Sequence, residues 1–267
     1  MSTLTVRVLT AIVAIPLLLV VNHLGGAVFA AVVAIAALVG TREGYAFAGA
    51  SGFRPFEAGG TLAAIALSVA PFFAPQPQSA WIALLLATFA LTGIFFLVPT
   101  HGFNMGGWSL TLVLALYVGL CLGHLSLLRI VSRGEGWVLL TLVITWAYDT
   151  GAYFTGASIG KRPFVPHVSP RKTMEGVAGG MVAASLAAAI GAEFQGIQIW
   201  QGVCLGLAGG IAAQLGDLLE SMLKRESGLK DSGSIFPGHG GLLDRIDSLL
   251  LASVAVYYGA RVFGYAS

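Results

Sequence analysis

Between Ser221 and Asp247 the chain reads SMLKRESGLKDSGSIFPGHGGLLDRID, and eight of these 27 residues carry charge. The whole 267-residue chain has only 14 Lys or Arg and 12 Asp or Glu. Chemistry is therefore expected here. Just upstream, Asp217, Glu220, Ser221 and Lys224 follow an i, i+3, i+4, i+7 spacing, which puts all four on one face of a helix. One reading is a plain helix end with an i,i+4 pair between Glu220 and Lys224. That reading leaves Asp217, one turn deeper, without a partner. The other makes Asp217 a ligand for a hard cation such as Mg²⁺, which takes carboxylate oxygen and bridges to substrate phosphates. Asp244 and Asp247 lie three apart at the head of the last apolar segment. Asp247 reads equally as a complement to the helix dipole. Asp244 follows the turn PGHGG. There Gly240 and Gly241 permit positive φ and offer N–H groups to a phosphate, whereas His239 taken alone reads as a loop residue.

A second polar run, SPRKTMEG, extends from Ser169 to Gly176 and holds Arg171, Lys172, Thr173 and Glu175. Two bases and a hydroxyl at a helix start suit a polyphosphate, by charge and by backbone donors together. The same residues equally suit an anchor for anionic lipid headgroups. Asp149, in WAYDTGAYFTG, stands within an apolar segment. It reads either as a third acidic ligand or as the partner of a base from the SPRKT run.

The elements that must position these residues are hydrophobic. Apolar residues make up 57% of the chain, charged residues 10%, and the mean hydropathy is +0.86. A soluble domain carries about 25% charged residues. Nine apolar segments are expected near 4–22, 26–48, 58–74, 79–98, 108–128, 136–155, 174–192, 198–223 and 246–264. With about 20 apolar residues needed per crossing, the fold class is an all-α polytopic membrane bundle of about nine transmembrane helices. Residues 1–135 hold about five of them, and residues 136–267 hold four plus the polar loops. Pro55, the Pro71, Pro75 and Pro77 cluster, and Pro99 mark breaks, and no strand alternation is evident. The first apolar block lacks a small-residue cleavage site and reads as a retained helix. With nine spans, eleven of the 14 basic residues fall on the side of the polar loops, which predicts that these face the cytoplasm. A net charge of +2 without a basic tail gives no sign of nucleic-acid binding, and Cys121 and Cys204 sit too far apart for a zinc or disulfide framework.

The Ser221–Asp247 run resembles the signature of the CDP-diacylglycerol synthases, or phosphatidate cytidylyltransferases. Ser221, Lys224, Arg225, Lys230, Asp231, His239, Gly240, Gly241, Asp244, Arg245 and Asp247 meet its eleven positions without departure. WAYDTGAYFTG and SPRKTMEG also resemble family elements, so the likeness covers the chain from about Asp149 on. The resemblance implies an integral membrane enzyme that condenses CTP with phosphatidic acid, releasing pyrophosphate and leaving CDP-diacylglycerol. It implies Mg²⁺ dependence with room for a second cation, and a homodimer; the sequence does not encode the membrane, for which a bacterial inner membrane is the simplest expectation. Asp217 and Asp244 would hold metal, with Asp149 either joining them or orienting the SPRKT run. Arg171, Lys172, Lys224 and Arg225 would meet phosphates, helped by Ser169, Thr173, Ser221, Gly240 and Gly241. Lys230, His239 and Arg245 would contact the triphosphate or support the loop, with Glu220, Asp231 and Asp247 behind them. A CTP-dependent lipid kinase and a transporter are the competing readings. A transporter would favour a midplane site and inverted repeats, and no such repeat is visible.

Overall fold

The computed structural model describes residues 3–74, 76–98, 105–229, 232–233 and 240–266. Lys230, Asp231 and His239 lie outside the described residues, as do Pro75 and Pro99. Among the described residues there are nine α-helices and one small hairpin. The helices are α1 (Thr3–Leu24), α2 (Gly26–Ala50), α3 (Glu57–Phe73), α4 (Pro77–Leu97), α5 (Met105–Ile130), α6 (Gly134–Ile159), α7 (Met174–Gln195), α8 (Ile199–Ser227) and α9 (Leu243–Val262). Each apolar segment of the sequence becomes one helix. Five of them, α2, α4, α5, α7 and α8, are long and apolar enough to cross a membrane. The chain is an all-α, polytopic integral membrane protein. Pro77 occupies the first turn of α4, where its missing N–H costs nothing, whereas Pro71 lies inside the last turn of α3.

The hairpin corrects the expectation of no strands. β1 (Pro163–Val165) pairs antiparallel with β2 (Ser169–Thr173), with Pro163 opposite Thr173 and Val165 opposite Ser169. Three and five residues are too few for a period-2 pattern to register in sequence. β2 is the SPRKT run itself, so Arg171 and Lys172 lie on a strand that leads directly into α7.

The chain forms two compact units. One comprises Met1–Leu127 with Leu223–Arg245, the other Leu128–Met222 with Ile246–Ser267. In the first, several polar groups inside the apolar bundle are paired with backbone carbonyls, which offsets the cost of their burial in lipid. Tyr45 Oη donates to the Thr111 carbonyl at 2.8 Å, Trp81 Nε1 to that of Leu67 at 2.9 Å, and Ser126 Oγ to that of Ser68 at 2.8 Å. Tyr45, Ala48 and Leu114 form a buried cluster, with Leu110 and Leu223 packed on it.

The second unit packs through small residues. On α7, Gly176, Gly180, Ala184, Ala188 and Ala192 repeat every fourth position and are buried. Val182, Leu186, Ile190 and Phe194 repeat likewise on another face and are exposed. Small residues inside and large apolar residues outside is the pattern of a helix facing lipid, where close backbone approach replaces hydrophobic segregation. A Cβ on Gly202 would lie 2.6 Å from the Ala188 carbonyl oxygen, and one on Gly206 2.6 Å from that of Ala184. Helices α7 and α8 therefore touch backbone to backbone. α8 has 29 residues, about 44 Å at 1.5 Å per residue. That exceeds the ~30 Å hydrocarbon core.

Candidate active site

Two polar clusters hold most of the expected site residues, one in each unit. The cluster in the first unit centres on Asp244, at the second residue of α9. Its carboxylate is nearly buried, at 5% side-chain exposure, and both oxygens are engaged. Oδ1 lies 2.5 Å from Lys224 Nζ. Oδ2 accepts from Ser232 N at 2.9 Å, Ser232 Oγ at 2.9 Å and Gly241 N at 2.8 Å. The Gly241 amide, which the sequence offers to a phosphate, is thus spent on holding Asp244. Gly240 has φ 81°, a left-handed turn that glycine adopts without strain. Arg225 and Arg245 are exposed. A third acid, Glu43 of α2, is 8% exposed and completes the cluster. It accepts from Ser232 Oγ at 2.9 Å, from Leu242 N at 3.0 Å and from Leu243 N at 2.7 Å. The reading of the sequence missed Glu43. Its signal was an ionisable group inside an apolar, span-length segment, the same criterion that singled out Asp149 and Asp217.

The cluster in the second unit centres on Asp217 of α8. Ser221 Oγ donates to Asp217 Oδ1 at 3.2 Å, so the one-face spacing acts as expected one turn apart. Lys172 Nζ on β2 lies 2.6 Å from Asp217 Oδ2. That ammonium is buried and makes no oriented hydrogen bond among the described residues, which leaves donors for a further anion. Thr173 caps α7 by accepting from Gly176 N at 3.1 Å. Glu175 Oε2 accepts from Lys161 N at 3.1 Å and Arg162 N at 3.2 Å, and the Arg162 carbonyl accepts from Met174 N at 2.9 Å. These bonds fix the hairpin to the head of α7 and so aim Lys172. Arg171 is exposed and Ser169 half-buried. Asp149 is exposed on α6, next to Tyr148, whose hydroxyl donates to Gln214 Oε1 at 2.5 Å. Glu220 is 1% exposed and Asp247 9%, so both are buried behind the polar faces.

Each cluster therefore presents the same motif, a carboxylate against a lysine ammonium. The carboxylate oxygens of Asp217 and Asp244 are hard donors, each already facing a cation. Among the described residues no group of three or more His, Cys, Asp or Glu is placed to hold a metal. Mg²⁺ does not require one, since it keeps several waters and takes one or two carboxylates plus substrate phosphates. Asp217, with one lysine and one long hydrogen bond, keeps lone pairs that suit that ion, whereas both oxygens of Asp244 are already taken by donors.

A cytidylyltransferase family profile matches residues 5–263. The phosphatidate cytidylyltransferase of Mycobacterium bovis is 40% identical over 160 residues, which is 60% of this chain and 52% of that protein. The Bacillus subtilis protein of the same name is 39% identical over 188 residues, covering 68% of each chain. That of Staphylococcus haemolyticus is 31% identical over 253 residues, 92% of this chain and 94% of its own length. The chain spans about half the length of the mycobacterial relatives it matches. A match that runs over nearly the whole chain, with relatives aligned almost end to end, means that the chain belongs to the cytidylyltransferase family.

Proposed function

We propose that this protein is a phosphatidate cytidylyltransferase, forming CDP-diacylglycerol and pyrophosphate from CTP and phosphatidic acid. The paired motif carries the reading: Lys172 against Asp217 and Lys224 against Asp244, each within 2.6 Å. The phosphate of phosphatidic acid is already anionic at neutral pH, so a strong base is not needed. The barrier is one anion approaching another, and it falls when both phosphates are held in line and the charge growing on pyrophosphate is neutralised. Lysine ammonium groups meet phosphate oxygens by charge-assisted hydrogen bonds, and the exposed Arg171, Arg225 and Arg245 add bidentate donors. Asp217 would offer a carboxylate oxygen to Mg²⁺, and Asp244 would do so only by giving up a donor it now holds; the ion supplies charge neutralisation at the phosphates when bound. In the transfer a phosphatidate oxygen forms a bond to the α-phosphorus of CTP. The bond from that phosphorus to the α,β-bridging oxygen breaks, and its electron pair leaves with pyrophosphate. No net proton transfer is required.

The protein acts in a bacterial inner membrane as a homodimer, with the polar loops toward the cytoplasm. The eleven-to-three distribution of basic residues supports that orientation. In a background lacking Cys121 and Cys204, Leu229→Cys should react with a membrane-impermeant thiol reagent only after cells are opened. Labelling in intact cells would reverse the orientation. The activity is tested by stoichiometry. Purified protein given phosphatidic acid, CTP and Mg²⁺ should release one pyrophosphate per CDP-lipid formed. Release of CDP instead would assign a lipid kinase.

A further inference from the structure

Glu43 lies in α2, far in sequence from every residue discussed for the transfer; its hydrogen-bond partners are 189 to 200 residues away. Its carboxylate meets the head of α9, whose first amides have no acceptor within their own helix. Leu242 N and Leu243 N donate to it, and a negative charge there also complements the helix dipole. Two glycines press closely against it: a Cβ on Gly233 would lie 2.6 Å from Glu43 Oε1, and one on Gly241 would strike both Ser232 Oγ and Glu43 Oε2. Ser232 Oγ stands 2.9 Å from Glu43 Oε2 and 2.9 Å from Asp244 Oδ2. One hydroxyl has one proton, so it donates to one carboxylate at a time while touching both. Glu43 thereby holds the Leu242 and Leu243 amides at the start of α9 and shares the serine hydroxyl that reaches Asp244.

We infer that Glu43 is a positioning residue for the transfer, setting through Ser232 and the start of α9 where Asp244 and its Lys224 partner stand. This rests on the function proposed above. A merely structural cap would lower the folded fraction and leave the kinetics of the folded protein unchanged. A positioning residue lowers kcat in protein that is folded, because a misplacement of about 1 Å is enough to cost up to ~100-fold.

The test compares Glu43→Gln, Ser232→Ala and Ser232→Thr in detergent, with kcat, KM for CTP, thermal melting and amide exchange at Leu242 and Leu243. Glu43→Gln turns one acceptor oxygen into a donor facing N–H groups. It should lower kcat roughly tenfold or more, leave KM for CTP within about twofold, and speed exchange at both amides. Ser232→Ala should lower kcat less, since Ser232 N and Gly241 N still reach Asp244, and Ser232→Thr should restore it. The Glu43→Gln, Ser232→Ala double variant should lose less than the product of the two, as groups in one network do. Wild-type kcat per folded Glu43→Gln protein would overturn the inference. Should that variant not fold, the two Ser232 variants decide: an Ala loss rescued by Thr supports the inference, and equal rates in both overturn it. If the wild-type protein forms no CDP-lipid, the proposed function fails and exchange alone decides the clamp. Faster exchange in Glu43→Gln would then uphold the clamp, and unchanged exchange would overturn it.

Discussion

Asp244 and Asp217 each stand against a lysine ammonium, yet the fold treats them differently. Asp244 is 5% exposed and is held by Lys224, by the Ser232 and Gly241 amides and by the Ser232 hydroxyl it shares with Glu43. Asp217 is 32% exposed and receives Lys172 and one long bond from Ser221. Asp244 is preorganised by a polar network that crosses the chain from α2 to α9. Asp217 keeps freedom to exchange its partner. The difference teaches that a carboxylate–lysine pair can be drawn alike on two elements and held with very different firmness.

The contrast can be broken most sharply at Asp244. In Asp244→Asn an amide nitrogen must face either the lysine or a nest of N–H donors. Turnover should fall by about 10²–10³-fold, as for loss of one preorganised electrostatic group. Unpaired buried donors should also destabilise the protein by about 1–3 kcal/mol, read as a lower melting temperature in detergent. Asp217→Asn should lower turnover by roughly 10²-fold and lower the melting temperature less than Asp244→Asn, because Asp217 is 32% exposed and loses one lysine rather than a nest of donors. Equal destabilisation by both variants would erase the distinction.

Double-mutant cycles sharpen it further. Removing either partner of the enclosed Lys224–Asp244 pair should cost about 3 kcal/mol of stability. The more open Lys172–Asp217 pair should couple by no more than about 1 kcal/mol, a value that falls as salt is raised. A smaller effect is expected one residue from Lys172. Thr173→Ala removes the cap of α7 and should cost about 1 kcal/mol, measured by thermal unfolding. No change would mean that the hairpin, and not the cap, holds the head of α7.

What could be read beforehand follows from the range of each interaction. The nine apolar segments and the Asp217–Ser221 face were legible because apolar run length and the i,i+4 spacing are local. The hairpin was not, since its two strands are shorter than any pattern that could declare them. Lys172 meeting Asp217 could not be told from Asp149 meeting the same base, because spacing does not fix a partner on another element. Glu43 was hidden for a further reason. Its partners are amides and a serine, which carry no sequence mark, nearly two hundred residues on. A lone acid in an apolar helix announces that something must satisfy it, without saying what.

The most direct measurement follows the atoms of CTP. Protein in vesicles with phosphatidic acid is supplied with CTP labelled at the α-phosphate in one reaction and at the γ-phosphate in another. Attack at the α-phosphorus requires α-label to enter the organic phase with the lipid and γ-label to remain in water as pyrophosphate. Recovery of γ-label in the lipid, with CDP in the water, would contradict cytidylyl transfer and make the protein a kinase.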